Sequence, residues 1–209
     1  MNYCPFCGNR LNNNPVTCGG CGNSLLEAYR LLNEQPNTGG NVNSSQNNNA
    51  SMDSFYKVAD LRHQKKDYAG ELDWLRRAEP QYPNDEELKL RIGKVCRIMG
   101  KNDDAILSYK EAIRINPKNP VTYNNLAAIY VAKNDNVRAL DTIKKAYKLI
   151  EDDPSSAPQN QRATIYAGYA RCIGMNGDKQ SARRLLEKAR REGYNPAGIA
   201  QIEKAVGLK

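Results

Sequence analysis

The sequence predicts an all-α chain: a stack of about four helix hairpins closed by one last helix, with a small cysteine module in front. Three observations predict it. From residue 52 onward, apolar residues recur at helical spacing in pairs of short stretches. The pattern returns with a period of about 34 residues. Four of the six cysteines stand in two matched pairs at the very start of the chain.

The pairs come first. Cys4-Pro5-Phe6-Cys7-Gly8 and Cys18-Gly19-Gly20-Cys21-Gly22 are two copies of one knuckle. Two residues between cysteines let both thiolates face one ion, and the trailing glycine lets backbone N–H groups turn toward the sulfurs. Two such pairs supply the tetrahedral four-thiolate site that structural zinc prefers. Paired cysteines without an export signal fit metal better than a disulfide framework. Residues 1–24 thus resemble a small zinc ribbon of the double-knuckle type, which implies one structural Zn2+ on Cys4, Cys7, Cys18 and Cys21. The alternatives are rubredoxin-like iron, for which the ten residues between Cys7 and Cys18 are few, and a redox pair, which lacks a βαβ context. So short a module buries no core, so metal binding, worth about 10–16 kcal/mol in comparable peptides, has to fold it.

Residues 25–51 read as a tether. In the stretch 24–32, SLLEAYRLL, Leu25, Leu26, Tyr29 and Leu32 form one or two amphipathic helical turns. These could cover the ribbon, dock on a partner, or be a helical tail of marginal order. The Asn-, Ser- and Gly-rich run 33–51 has Val42 as its one large aliphatic residue. It cannot offset its ordering entropy and reads as a disordered linker.

The repeats follow. Block 52–85 carries Phe55, Val58, Ala59, Tyr68, Leu72, Leu75, Ala78 and Pro83. Block 86–119 is the clearest. Leu88, Ile92, Val95, Cys96 and Met99 line one helix, which Gly100 ends by entering the left-handed region without a steric cost. Asp103 is expected to cap the next helix, where Ala105, Tyr109, Ala112 and Ile113 form the second stripe before Pro117. Gly93 and Ala105 sit where the paired helices approach most closely. Block 120–153 repeats this with Tyr123, Leu126, Ala127, Tyr130, Ala139, Ile143 and Ala146, and Asn134 takes the glycine role in its turn. Residues 154–162 break the period, as an exposed loop or as a loop followed by an early helix start. Block 163–196 resumes with Tyr166, Tyr169, Ala170, Ile173, Gly177, Ala182, Leu186 and Ala189. In 197–208, Ile199, Ile202 and Val206 share one face, as in the last helix of a repeat array.

Gly93, Gly100, Ala105, Tyr109, Ala112 and Pro117 match the small, aromatic and proline positions of the tetratricopeptide repeat, which this stretch resembles. Lys89 and Cys96 stand where a Trp and a Tyr are usual. The resemblance covers about 52–208 and implies a right-handed α-solenoid of four hairpins and a capping helix. It implies that Arg62 and Glu71 replace an aromatic and a small residue on a water-facing end. It also implies a concave groove lined by the first helices, with Tyr56, Asp60, Leu90, Lys94, Arg97, Asn124, Asn125, Val131 and Arg171 facing a protein or peptide ligand. Tyr56 and Asp60 stand where one family subset places a Lys and an Asn that clamp a terminal carboxylate, so chaperone-tail binding is not implied.

The net charge of +8 is concentrated in 86–119 and from Arg162 onward. Such a surface attracts nucleic acid, anionic lipid or acidic peptides, or is simply a solvated lysine-rich face. No apolar run approaches the roughly 18 residues of a membrane span, and no basic-then-apolar leader is visible, so a cytoplasmic location is expected. No catalytic constellation stands out. The single histidine, His63, has no nucleophile partner and reads as a partner contact or an ordinary surface residue. Trp74, Cys96 and Cys172 read as packing residues. The sequence therefore points to a non-enzymatic adaptor, with the repeat groove binding a protein segment and the ribbon as accessory module. The alternative is a nucleic-acid-associated zinc-ribbon protein using the basic region 171–191. For the adaptor, the convex face or the ribbon is the alternative contact.

Overall fold

A computed structural model describes residues 52–208, and every regular element among them is helical. The cysteine module, the stretch 24–32 and the linker lie outside the described residues. Two compact units divide between Gln81 and Tyr82.

Among the described residues, the first unit is one hairpin of α1 (Met52–Gln64) and α2 (Tyr68–Ala78). Phe55, Val58, Ala59, Leu72, Trp74, Leu75 and Ala78 are buried. Trp74 Nε1 donates to the Phe55 carbonyl at 3.1 Å, and the two rings lie 5.2 Å apart. The turn is made by Lys66 at φ 58°, a left-handed conformation that ordinary side chains adopt rarely. Glu71 departs from expectation. It is only 5 % exposed, and His63 Nδ1 lies 2.9 Å from its Oε2. The histidine is a clasp within the hairpin that helps hold a carboxylate out of water.

The second unit comprises α3 (Glu86–Ile98), α4 (Asn102–Ile115), α5 (Pro120–Ala132), α6 (Asn136–Asp152), α7 (Gln159–Met175), α8 (Lys179–Arg191) and α9 (Pro196–Ala205). Helices pair as α3–α4, α5–α6 and α7–α8, and each second helix packs on the next first helix. The first helices also touch one another in sequence, α3 to α5 and α5 to α7. The closing helix α9 packs on α7 and α8, burying Ile199 and Ile202, with Val206 buried just after it.

The local causes repeat with the period. Gly100, Asn134 and Gly177 all have positive φ at the same place in successive turns. Asp85, Asn119, Asp135, Asp178 and Asn195 each cap a helix, their side-chain oxygens accepting a free backbone N–H at 2.8–3.0 Å. Helix α4 is an exception. Lys101 occupies the capping position without a side-chain bond, and Asp103 lies inside the first turn. There its charge faces the positive end of the helix dipole, but it does not cap. Ala105, Ala112, Ala139, Ala146, Ala182 and Ala189 have no exposed surface. The insertion resolves as the early helix start: a 3-10 turn at Pro154–Ser156 is followed by α7 from Gln159. Arg162 ties it down, donating to the carbonyls of Pro154 and Ala157 and to Glu192 at 2.7 Å. Between the second and third repeats, Glu86 accepts hydrogen bonds from Asn116 Nδ2 at 2.7 Å, from Asn119 Nδ2, and from Thr122 Oγ1 at 3.4 Å.

Two outcomes follow for stability. A Cβ at Gly93 would lie 2.6 Å from Cε1 of the fully buried Tyr109. Gly93→Ala should therefore destabilise by about 1–3 kcal/mol, although helix propensity alone favours alanine by about 1 kcal/mol. A urea titration in which the variant is more stable would refute the contact. The second concerns acid. Backbone N–H groups donating to Asp67, Asp135 and Asp178 hold these carboxyls below their ordinary value of 3.8. A depressed folded value stabilises fully above the unfolded value, and that contribution is lost as pH falls through the folded one. The urea midpoint should fall below about pH 4, and Asp178→Asn, which keeps a capping oxygen, should reduce the fall.

Candidate functional site

The residues expected to line a groove are distributed over four helices. Tyr56 and Asp60 lie one turn apart on α1 in the first unit, half-buried and exposed respectively. The rest belong to the second unit. On α3, Lys94 is half-buried and Arg97 exposed, but Leu90 is only 4 % exposed. Helix α3 buries Leu88, Leu90, Ile92, Gly93, Val95 and Cys96, most of its circumference and not a single stripe. Leu90 is therefore core and not an accessible anchor. None of Lys94, Arg97 and Arg171 has a carboxylate partner among the described residues.

Asn124, Val131 and Arg171 are brought together. They line a cavity of about 90 Å³ between α5 and α7, with Ala127 and Ala128 on one wall, Gly168 and Cys172 on the other, and Ile143 of α6 at its base. Small residues make the notch. A Cβ at Gly168 would lie 3.0 Å from Asn124 Oδ1, so glycine there lets α7 approach the asparagine closely. Asn125, next along α5, buries its Nδ2 without a hydrogen-bond acceptor among the described residues. The notch has room for about three waters or one small aliphatic side chain. A carboxamide and a guanidinium stand at its rim. Burial pushes the Cys172 thiol up to about 11, with Arg171 opposing in part. At neutral pH it is an uncharged wall and not a nucleophile.

A second concavity was not legible in the sequence. About 680 Å³ of open groove runs along α6 and is lined by Asp141, Lys144, Lys145, Tyr147, Lys148 and Glu151, with Tyr169 of α7. Tyr147 and Tyr169 pack in a tilted pair with ring centres 4.8 Å apart and their planes at 41°. Glu151 accepts from Lys188 Nζ at 2.8 Å, Tyr166 at 2.8 Å and Tyr147 at 3.1 Å. Burial alone would raise this carboxyl, but the bonds from Lys188 and Tyr166 prevail and lower it. Burial and the bond to Glu151 drive the Tyr166 hydroxyl far above its ordinary range. The repeat pattern marks Tyr166 and Tyr169 only as packing positions. The cluster forms because Tyr147 and Glu151, one turn apart on α6, meet them across the hairpins.

Among the described residues, no group of acidic, histidine and cysteine side chains is arranged to hold a metal ion. None of their helices is long and apolar enough to cross a membrane.

Residues 93–134 match the family described as TPR repeat. Over 118 residues the chain is 29 % identical to the TPR repeat-containing thioredoxin TTL4 of Arabidopsis thaliana, covering 56 % of this chain and 16 % of that protein. Over 112 residues it is 27 % identical to the Photosystem I assembly protein Ycf3 of Synechococcus sp. (strain CC9605), covering 50 % and 64 %. The match thus spans less than two thirds of either relative. The fold is similar to that of YrrB, a TPR protein with an unusual peptide-binding site, at TM-score 0.57 and 14 % identity over 75 % of this chain and 76 % of that one. The described residues carry a tetratricopeptide-repeat fold.

Proposed function

We propose that this chain is a non-enzymatic adaptor whose α3–α5–α7 face binds an extended protein or peptide segment, with the cysteine module as an accessory contact. The observation that carries this reading is the notch between α5 and α7. It gathers Asn124, Val131 and Arg171, beside a helix that presents Lys94 and Arg97 without carboxylate partners among the described residues. An apolar side chain of the ligand enters the notch, the Asn124 carboxamide meets its backbone, and the cations orient acidic flanks. Support comes from the relatives: Ycf3 is named as an assembly protein and YrrB as a protein with a peptide-binding site.

Exposed cation–carboxylate pairs contribute about 0–1 kcal/mol each, so the notch should dominate affinity and the basic residues should set orientation and on-rate. Ala128 is exposed at the notch wall. Ala128→Trp should fill the notch and weaken partner capture by the full chain at least about tenfold, near 1.4 kcal/mol, with an unchanged urea midpoint. Arg171→Ala should weaken it less. Quantitative affinity capture with both variants measures this, and undiminished binding by Ala128→Trp would move the site off this face. Salt dependence should be modest, unlike that of a phosphate-backbone binder. In 171–191, Lys188 is engaged by Glu151, and Arg190 by Glu187 and Glu203, which leaves less free charge for nucleic acid.

For the cysteine module, two CxxCG knuckles support one structural Zn2+ on Cys4, Cys7, Cys18 and Cys21. Elemental analysis should find one zinc per chain, lost in Cys18→Ser. Chelator should leave the thermal unfolding of the helices nearly unchanged. A Cys18→Ser protein that keeps its zinc would remove that ligand from the set.

A further inference from the structure

The groove along α6 carries its charges in a definite order. Asp141, Lys144, Lys145, Lys148 and Glu151 follow one helical stripe, with three cations in the middle and a carboxylate at each end. The cations are exposed, and none has a carboxylate partner among the described residues. Elsewhere in the same unit, several cations at comparable spacing are paired, among them Arg91 with Glu87, Arg114 with Glu111 and Arg138 with Asp135. Beside the stripe lies an aromatic wall. The Tyr147 hydroxyl is already satisfied by Glu151, and the Tyr147 and Tyr169 rings form a tilted pair at the cavity. Lys188 sits 5.5 Å from the Tyr147 ring centre while bonded to Glu151, which braces that wall.

From this arrangement we propose that the α6 groove is a second binding site, distinct from the α5–α7 notch, for a short acidic peptide segment carrying an aromatic residue. The aromatic side chain packs on Tyr147 and Tyr169, and flanking carboxylates meet Lys144, Lys145 and Lys148. The volume of about 680 Å³ is in the range of formed ligand sites. Asp141 and Glu151 stand roughly 15 Å apart along the helix axis at 1.5 Å per residue. That length admits about four or five extended residues. The exposed Asp141 carboxylate repels a polyanion that continues past its end of the stripe, while Glu151 is already paired with Lys188, so the unpaired cationic stretch is short and suits a short acidic segment. Lysines suit this role because each is a point charge that meets a carboxylate without a fixed fork geometry.

The test uses the full chain and a fluorescein-labelled peptide with a phenylalanine flanked on each side by two glutamates, read by fluorescence anisotropy. Controls are a peptide with lysines in place of the glutamates and a labelled oligo-thymidine. The expected result is saturable binding of the acidic peptide, weakened at least about tenfold by the double variant Lys144→Glu/Lys148→Glu and unchanged by Arg171→Ala, with circular dichroism melts the same for all proteins. No saturable binding overturns the proposal, as does equal binding of the lysine peptide. Loss in Arg171→Ala with none in the lysine variant assigns the peptide to the notch instead and overturns the second site. Tighter binding of oligo-thymidine through the same lysines overturns the peptide assignment in favour of nucleic acid.

Discussion

The structure depends on how closely the two helices of each hairpin approach. In α3 and α4, Gly93 lies against the ring of Tyr109, closely enough that one added methyl would overlap it. At the corresponding positions of the next two hairpins stand Ala127 with Ile143 and Ala170 with Leu186, all buried. The largest side chain therefore pairs with the smallest, and intermediate with intermediate, so summed volume is conserved while identity changes. Close-packed interiors require this, because a methylene too many or too few is felt directly. Alanines seven residues apart on each second helix serve the same end. The first unit is the exception that shows the rule: where the others have a buried alanine, its hairpin has Glu71, and His63 supplies a hydrogen bond that keeps the buried carboxylate tolerable.

Polar chemistry then fixes where each helix begins and how repeats lock together. Asx caps satisfy backbone donors that water would otherwise have to reach. Glu86 does more, joining the α4–α5 connection to the start of α3 through Asn116, Asn119 and Thr122. Asn119 caps α5 with its oxygen and donates to Glu86 with its nitrogen, so one side chain couples local helix initiation to inter-repeat geometry. The insertion before α7 uses a similar device, with Arg162 bridging two loop carbonyls and Glu192.

With hairpins spaced by these contacts, two surfaces acquire different characters. The α5–α7 notch is narrow, walled by small residues and edged by an amide and a guanidinium. The α6 groove is wide, aromatic and cationic. Their charge differs in availability as well as amount. From Arg162 onward, Arg162, Lys188 and Arg190 are spent within the fold, on Glu192, Glu151, Glu187 and Glu203. Lys144, Lys145 and Lys148 of α6, Lys94 and Arg97 of α3, and Arg171 of α7 have no carboxylate partner among the described residues. Net charge alone gave no means of separating the two populations, because pairing depends on which carboxylate the fold brings within reach.

The sequence by itself determined the helical class of the described residues, the period, the helix pairs and the left-handed turn positions Gly100 and Asn134. Each of these is local: helical periodicity and backbone conformation are set within a few residues. It also identified Gly93 and Ala105 as close contacts, since small residues at fixed offsets have few other uses in a helix. It did not anticipate Lys66 in a left-handed turn, because only the tertiary context makes that conformation tolerable for lysine. Only the tertiary structure decided that Leu90 is core, that Glu71 is buried beside His63, that Lys101 takes the place of a capping residue, and that Asn124, Val131 and Arg171 share one cavity while Tyr147 joins Tyr166 and Tyr169. These outcomes depend on the rotation of one hairpin against the next and on side-chain directions, and a linear pattern carries neither.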